Sequence, residues 1–385
     1  MDLYYFDNAA TTVQKPPTVA QTIYDALQSG MLGNPSRGTH RYAMEAYRQV
    51  ETVKEDIKKL FHASDDYEVA FTYNSTVALN MVLKGVLHAG DHVLTTTWEH
   101  NAVLRPLYQL EKQGIMVDYI SSDRLTGQLH YDELEKKVRP NTTYLICNHA
   151  SNVTGNVLDL SYIKRFCKSH HMGLIVDVSQ TAGAYPIDVS DGIVTALCFT
   201  GHKSLYGPGG TGGICIKKDT PVVPFITGGD GVHSFDKEQP CQIPDVFEAG
   251  TMNVAGIMGL GAGIRLILQE GLAQRMKHQQ EIGDIFVSGV RRIPKITLYG
   301  DFAKPRVGVY ALNIGTADAS VVSDALWTTY GMAVRAGFHC APLMHTALHT
   351  ETQGAIRFSF SYFTTKEEAA AAVQALRELA QLAEI

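Results

Sequence analysis

The sequence predicts an α/β protein: a mainly parallel sheet covered by helices, followed by a smaller α+β unit. Three observations carry this. Extended apolar runs alternate with amphipathic ones through the first part of the chain. A long helical region from Val254 to about Arg292 ends that alternation. Beyond it, short extended runs flank single helices.

Taken in order, "EVAFTY" leads into an amphipathic stretch from Ser75 to Lys84, and "HVLTTT" into one from Ala102 to Gln113. "TYLICNHA" precedes a helical pattern from Leu160 to His171, after which come "GLIVDV" and "TALCFT". Past the long helical region stand "KITLYG", "GVYALNI", a helix from Ala317 to Tyr330, "MAVRAG", "AIRFSFSY" and an alanine-rich helix from Lys366. The change of pattern predicts a large domain over 15–266 and a small one over 267–385, with the boundary near Leu266 and the segment 1–14 joining them. Ligands of parallel sheets bind beyond the carboxyl ends of the strands. Here those ends carry Ser75 and Thr76, His100, Asn152, Asp177 and Gln180, and Thr200 to Lys203, which predicts one shared site.

Composition excludes several classes. The 385 residues carry a formal charge of −6 without a block of one sign, which argues against a nucleic-acid or anionic-membrane surface. The start, "MDLYYFDNAATT", lacks the basic and apolar regions of a secretory signal. Val254 to Leu268, the longest apolar stretch, holds Arg265 and is too short to span a bilayer. A cytoplasmic protein is expected. The six cysteines lie far apart with no C-x-x-C pair, so neither a disulfide framework nor a zinc ribbon is indicated. Cys147, Cys198, Cys215 and Cys167 read as small buried hydrophobes, and Cys241 lies in a polar loop. His345 and His349 stand four apart near Cys340, but the remaining spacing does not supply a closed four-ligand set, and no metal is expected.

The shared site has a chemical reading of its own. "TYNSTVALNMV" turns from strand to helix at Asn74, Ser75 and Thr76, where free N–H groups and the helix dipole would hold a phosphate, although a plain helix cap reads the same way. Asp177 ends an apolar strand, where a buried carboxylate needs a cationic partner such as a protonated ring nitrogen. Lys203 is the amine that condenses with a carbonyl; the lysine precedes the glycines of "GPGGTGG", and no G-x-x-x-x-G-K-[ST] is present. Phosphate cradle, buried acid and loop lysine together describe a site for pyridoxal 5'-phosphate.

The motifs "YFDNAATT", "NPSRGTHRYA", "SNVTG", "VDVSQ", "TGHKSLYGP", "FEAGTMN" and "RAGFHCAP" resemble the class V aminotransferase family, fold type I, and within it the cysteine desulfurases. The resemblance implies a mainly parallel seven-stranded sheet in the large domain. "RAGFHCAP" is similar to the short cysteine loop of the group II branch, which includes Suf-type desulfurases and selenocysteine lyases. The resemblance further implies that Lys203 carries the cofactor, Asp177 pairs with its ring nitrogen, Gln180 bonds its phenolic oxygen and His100 stacks on the ring. Ser75, Thr76, Thr200 and His202 would bind the phosphate, joined by Thr251 from the second subunit of a homodimer. Asn152 and Arg357 would hold the substrate carboxylate, Arg335 would flank the catalytic loop, and Cys340 would be the nucleophile. L-cysteine, and L-selenocysteine with it, would be the substrates, and a sulfur-acceptor protein the partner. Ser204, extra to the usual "GHKLYGP", and "APLMH" after Cys340 depart from the family's pattern on surfaces where that acceptor would dock.

Two rival functions stand beside this one. Another enzyme of the same fold, a transaminase or a sulfide-releasing β-lyase, would leave Cys340 an onlooker. A sulfur-relay scaffold without catalysis would not need the intact set Lys203, Asp177, His100 and Arg357.

Overall fold

Every residue of two interior strands of the chain's main sheet, "HVLTT" and "ALCFT", is buried, the burial of a sheet covered on both faces. The computed structural model describes residues 3–35, 38–229, 231–232 and 234–382; Ser36 and Arg37 of "NPSRGTHRYA" lie outside them. The strand Tyr4–Tyr5 (β1) precedes helices Pro17–Gln28 (α1) and Arg41–Leu60 (α2). Strands and helices then alternate: Tyr67–Thr72 (β2), Ser75–Val86 (α3), His92–Thr96 (β3), Asn101–Glu111 (α4), Met116–Ile120 (β4) and Glu133–Lys137 (α5). Thr142–Asn148 (β5), Leu160–Ser169 (α6), Gly173–Asp177 (β6), Ala196–Thr200 (β7) and Gly212–Lys217 (β8) complete the run. Helices Val254–Glu270 (α7) and Leu272–Val290 (α8) lead to Ile296–Tyr299 (β9), Val309–Ile314 (β10), Ala319–Tyr330 (α9), Met332–Ala333 (β11) and Arg335–Gly337 (β12). Pro342–Leu348 (α10), Ala355–Ser359 (β13) and Lys366–Leu382 (α11) end the chain.

The main sheet has the order β2-β8-β7-β6-β5-β3-β4, with β8 antiparallel to both neighbours and the remaining pairs parallel. From β3 the chain steps to β4 on one side, then to β5 on the other. A crevice therefore opens beyond the carboxyl ends of β3 and β5, the place where such sheets bind ligands. Two apolar clusters cover the faces. One joins α2, α6 and α7, through residues such as Val53, Phe166 and Leu260; the other joins α3 and α4, through Leu79 and Leu107.

The second unit is a four-stranded antiparallel sheet, β12-β13-β10-β9, packed under α8, α9 and α11. Phe6 is buried in that cluster, and β1 pairs with β11, so the amino-terminal segment is anchored on the carboxyl-terminal unit. The long helical region expected from the sequence is broken at Gly271, whose φ of 82° interrupts the helix. α7 lies on α1 and α2, and α8 on α11, so the helices on either side of Gly271 pack against different elements.

Candidate active site

Six of the residues expected at the strand ends, Ser75, His100, Asn152, Asp177, Gln180 and Lys203, line one cavity, together with Asn148, Ala150 and Ser179. Lys203 follows β7 in an irregular turn. Burial pulls its ammonium down to about 8, against the opposing pull of Asp177, so the free amine is accessible near neutral pH. Asp177 ends β6. Ser179 donates to its Oδ1 through both the backbone N–H, at 2.9 Å, and the hydroxyl, at 2.5 Å, which leaves Oδ2 for a cation in the cavity. Burial raises the Asp177 carboxyl above its ordinary value although the Ser179 bonds and Lys203 work the other way. A carboxyl in that state gains from a proton-bearing partner.

His100 ends the β3 turn and caps α4: its Nδ1 accepts the Ala102 N–H at 3.0 Å. The proton of the neutral ring therefore sits on Nε2. Burial, then the charges of Lys203, Arg335 and Arg357, lower the ring to about 4 and keep it neutral. Behind it, Glu99 is fully buried and accepts from Thr96 Oγ1 at 2.6 Å and from the Asn148 N–H at 3.0 Å, tying the ends of β3 and β5 together.

At the other end of the cavity, Asn74 caps α3 through its side-chain oxygen, which accepts the Val77 N–H at 2.9 Å. This leaves the Ser75 and Thr76 amides at the helix start. The chain of glycines after Lys203 has its reason here. A side chain at Gly212 would come within 2.7 Å of the Asn74 backbone, so only glycine lets β8 pass the helix start. Thr200, register partner of Gly212, has a buried hydroxyl without a hydrogen-bond partner. His202 Nδ1 pairs with Thr11 Oγ1 at 3.0 Å, and burial followed by Lys203 and Lys15 lowers its ring to about 4. An orphaned hydroxyl beside a helix N-terminus, a buried acid, a neutral stacking ring and an amine near 8 fit the phosphate, ring nitrogen, ring face and aldehyde of pyridoxal 5'-phosphate.

Arg335, Cys340 and Arg357 come from the second unit. Arg357, on β13 and 1% exposed, donates to the Asn152 carbonyl at 3.1 Å and to Asp7 Oδ1 at 2.8 Å, while its Nε has no partner. Asn152 is a tether: its Nδ2 donates to the His339 carbonyl at 2.8 Å, and its Oδ1 is buried and unpaired. Cys340 is exposed on the four-residue turn between β12 and α10, and the Asn101 N–H, one residue after His100, donates to its carbonyl at 2.7 Å. Arg335 Nη2 stands 3.9 Å from Cys340 Sγ, placed to hold negative charge on the sulfur. His339 and Cys340 have φ of 50° and 56°, left-handed conformations that cost about 1–3 kcal/mol each without glycine. Thr251 is exposed and lies outside the cavity lining, its hydroxyl 3.4 Å from Asn34 Nδ2.

Sequence reasoning missed Asp7, Asn148, Ser179 and Glu99. The last two were within reach, because each sits one or two residues from a residue already singled out, in "VDVSQ" and "TTTWEH".

This sheet and this constellation define a pyridoxal 5'-phosphate enzyme of fold type I. The chain belongs to the class V aminotransferase family, whose model (Aminotransferase class-V) matches residues 4–371. A probable cysteine desulfurase of Methanothermobacter thermautotrophicus is 33% identical to it, over 98% of this chain and 95% of the relative. The cysteine desulfurase IscS of Dictyoglomus turgidum is 31% identical, over 94% of this chain and 91% of the relative. The apo structure of a cysteine desulfurase from Thermococcus onnurineus NA1 superposes with a TM-score of 0.90 at 28% identity, covering 98% of this chain and 95% of that one.

Proposed function

We propose that this protein is a pyridoxal-phosphate-dependent cysteine desulfurase, converting L-cysteine to L-alanine and keeping the sulfur as a persulfide on Cys340. One observation carries the reading: the Cys340 turn is docked on the first amide of α4, next to His100, and on Asn152, and His100 and Asn152 line the cavity with Lys203.

Bound at Lys203, the cofactor supplies an electron sink that weakens first the Cα–H and then the Cβ–S bond of the substrate. Lys203 Nζ, brought down to about 8 so that its unprotonated form is within reach once the substrate amine has displaced it, takes the Cα proton. Arg357, with Nε unpaired and Nη2 on Asp7, receives the substrate carboxylate, which competes with Asp7 for the guanidinium. Fixing the carboxylate fixes the direction of the Cα–H bond, and that alignment is worth more than raw basicity. The Cys340 thiolate attacks the substrate sulfur, so that an S–S bond forms as the Cβ–S bond breaks. The electron pair stays with Cβ, which takes a proton and becomes the methyl group of alanine. His100, on the cavity wall, is placed to shuttle a proton at that step.

The same reading makes the protein a cytoplasmic homodimer, with Thr251 of the second subunit completing the phosphate site, a protein acceptor for the persulfide, and L-selenocysteine as a second substrate. Among the described residues no helix is long and apolar enough to cross a membrane.

The test is a Cys340→Ala variant. It keeps Lys203, Asp177 and Arg357, so the cofactor's absorbance and cysteine binding should match the wild type. Alanine production from cysteine should be abolished, whereas much of that from selenocysteine should survive, because the carbon–selenium bond is weaker and a selenol leaves more readily. In the wild type, cysteine consumed should equal alanine formed, without pyruvate, and the Cys340 peptide should gain the mass of one sulfur. Equal survival of both activities in the variant would remove Cys340 from the reaction, and pyruvate would favour the β-lyase.

A further inference from the structure

The turn that carries Cys340 rests on three buried side chains that the chemistry above does not use. His339 Nε2 lies 3.2 Å from the Arg335 carbonyl oxygen, and His339 Nδ1 lies 3.2 Å from His345 Nε2. His345 Nδ1 lies 2.7 Å from Thr350 Oγ1. None of the three residues is more than 2% exposed.

Elementary valence fixes the protons. A carbonyl oxygen only accepts, so His339 Nε2 carries a hydrogen. In a neutral ring that leaves a lone pair on His339 Nδ1, and His345 Nε2 donates to it. His345 then accepts at Nδ1, and the Thr350 hydroxyl donates there. The donors run one way, from Thr350 through His345 and His339 to the Arg335 carbonyl. A proton added to His339 Nδ1 would set a second donor against the His345 Nε2–H and break the chain, whereas one added to His345 Nδ1 would turn the Thr350 hydroxyl from that nitrogen to the His345 carbonyl, 3.4 Å away. Both nitrogens of His345 are engaged in it, which accounts for this histidine without a metal ion.

We propose that His345 and Thr350 are positioning residues for the sulfur-accepting cysteine: they hold His339, and through it Cys340, in the backbone conformation that presents the thiol at the cofactor cavity. The proposal rests on the desulfurase reading. It explains how two consecutive side-chain-bearing residues keep φ of 50° and 56°. From one side the turn is held by Asn101 and Asn152; from the other, the histidine chain holds it against α10. The charged groups acting on the pair are Arg335 of β12 and Arg357 of β13, which oppose a proton on His339, and Glu351 beyond α10, which favours one on His345. Burial outweighs them and lowers both rings, His345 to about 4.

The experiment compares Thr350→Val with Thr350→Ser in the holoenzyme. Valine preserves shape and removes the donor, so kcat for alanine formation should fall about tenfold, the rate equivalent of one lost hydrogen bond, with KM and cofactor absorbance unchanged. With the hydroxyl gone, His345 Nδ1 is open to protonation. The acid limb of kcat, and of iodoacetamide alkylation of the Cys340 peptide followed by mass, should move to higher pH. Serine should restore both. His345→Gln, which keeps a donor toward His339, should retain more kcat than His345→Leu, a comparison that stands even where Thr350→Val folds poorly. Overturning results are a Thr350→Val enzyme that tracks the wild type at every pH, or a serine variant no better than valine. A wild type that makes no alanine would sink the desulfurase reading instead, and the alkylation profiles would still decide whether the histidine chain holds the turn.

Discussion

An imidazole at the start of a helix must offer a lone pair to a backbone amide, and the one at His100 offers Nδ1 to Ala102 while turning Nε2–H to the cofactor cavity. The cap thus selects the tautomer that the proposed proton transfer needs. Burial and the neighbouring cations bring the folded-state value to about 4, against an ordinary 6.5. Between these values the unfolded chain binds the proton and the folded chain does not, so this residue makes stability rise with pH across that window and fall on acidification. His202, also brought to about 4 by burial, adds the same sign. A His100→Asn substitution separates the two roles, because asparagine caps helices well but does not titrate. Activity should fall about a hundredfold or more. The melting temperature of the variant relative to the wild type should be higher at pH 5 than at pH 7, read by calorimetry; parallel melting curves across that range would refute the linkage. Lys203, Asp177 and His100 were legible in the sequence because each ends an apolar run with a group that a core rejects. Asp7, though it sits in "YFDNAATT", was not, since its partner Arg357 lies 350 residues away. Neither was the tether from Asn152 to the His339 carbonyl, which only the folded chain brings together.

Elements were readable where their periodicity was unmixed. The runs around β2, β3, β5, β6 and β7 are continuous and apolar because that sheet is buried on both faces. β4, "MVDYI", escaped notice because it is an edge strand: its first residue is exposed and the next three only half-buried, so no buried stripe is visible in the sequence. The region from Val254 to Arg292 read as one helix because helical periodicity passes through Gly271 undisturbed. What breaks it is conformation. The φ of 82° lets the α7 and α8 axes diverge toward different partners, and a Cβ built there meets nothing within 4 Å. The cost of a side chain at Gly271 is therefore backbone strain alone. Gly271→Ala should lose about 1–3 kcal/mol of stability in urea denaturation, with little change in KM for cysteine. A neutral substitution would mean that the two helices can realign without penalty.

Across the whole molecule, the amino-terminal segment binds one unit to the other. Tyr4 and Tyr5 pair with β11, Asn8 Nδ2 donates to the Ser359 carbonyl at 2.8 Å, and Lys15 Nζ donates to the His202 carbonyl at 2.8 Å. The small unit is thereby strapped to the turn carrying Lys203; the Thr200 hydroxyl is buried without a partner, and Thr251 is exposed. Several large side chains of α1, α2 and the turn after β2 are exposed. Tyr73, 71% exposed, lies against Gly210, whose carbonyl accepts from Asn253; Asn34 reaches Thr251, and Gly33 abuts Tyr42 at the start of α2. Tyr42 and Tyr47 of α2 are each about half exposed, and Tyr24 and Leu27 of α1 more so. Aromatic surface on that scale is costly in water unless a partner covers it. The homodimer proposed above would cover such surface and place the second chain's Thr251 at this cavity. Light scattering should therefore give a mass twice that of one chain. A Tyr42→Asp, Tyr47→Asp double variant should shift toward monomer and, as it does, lose affinity for pyridoxal 5'-phosphate in equilibrium dialysis. A monomer with full activity and undiminished cofactor affinity at assay concentration would mean that each chain completes its own phosphate site.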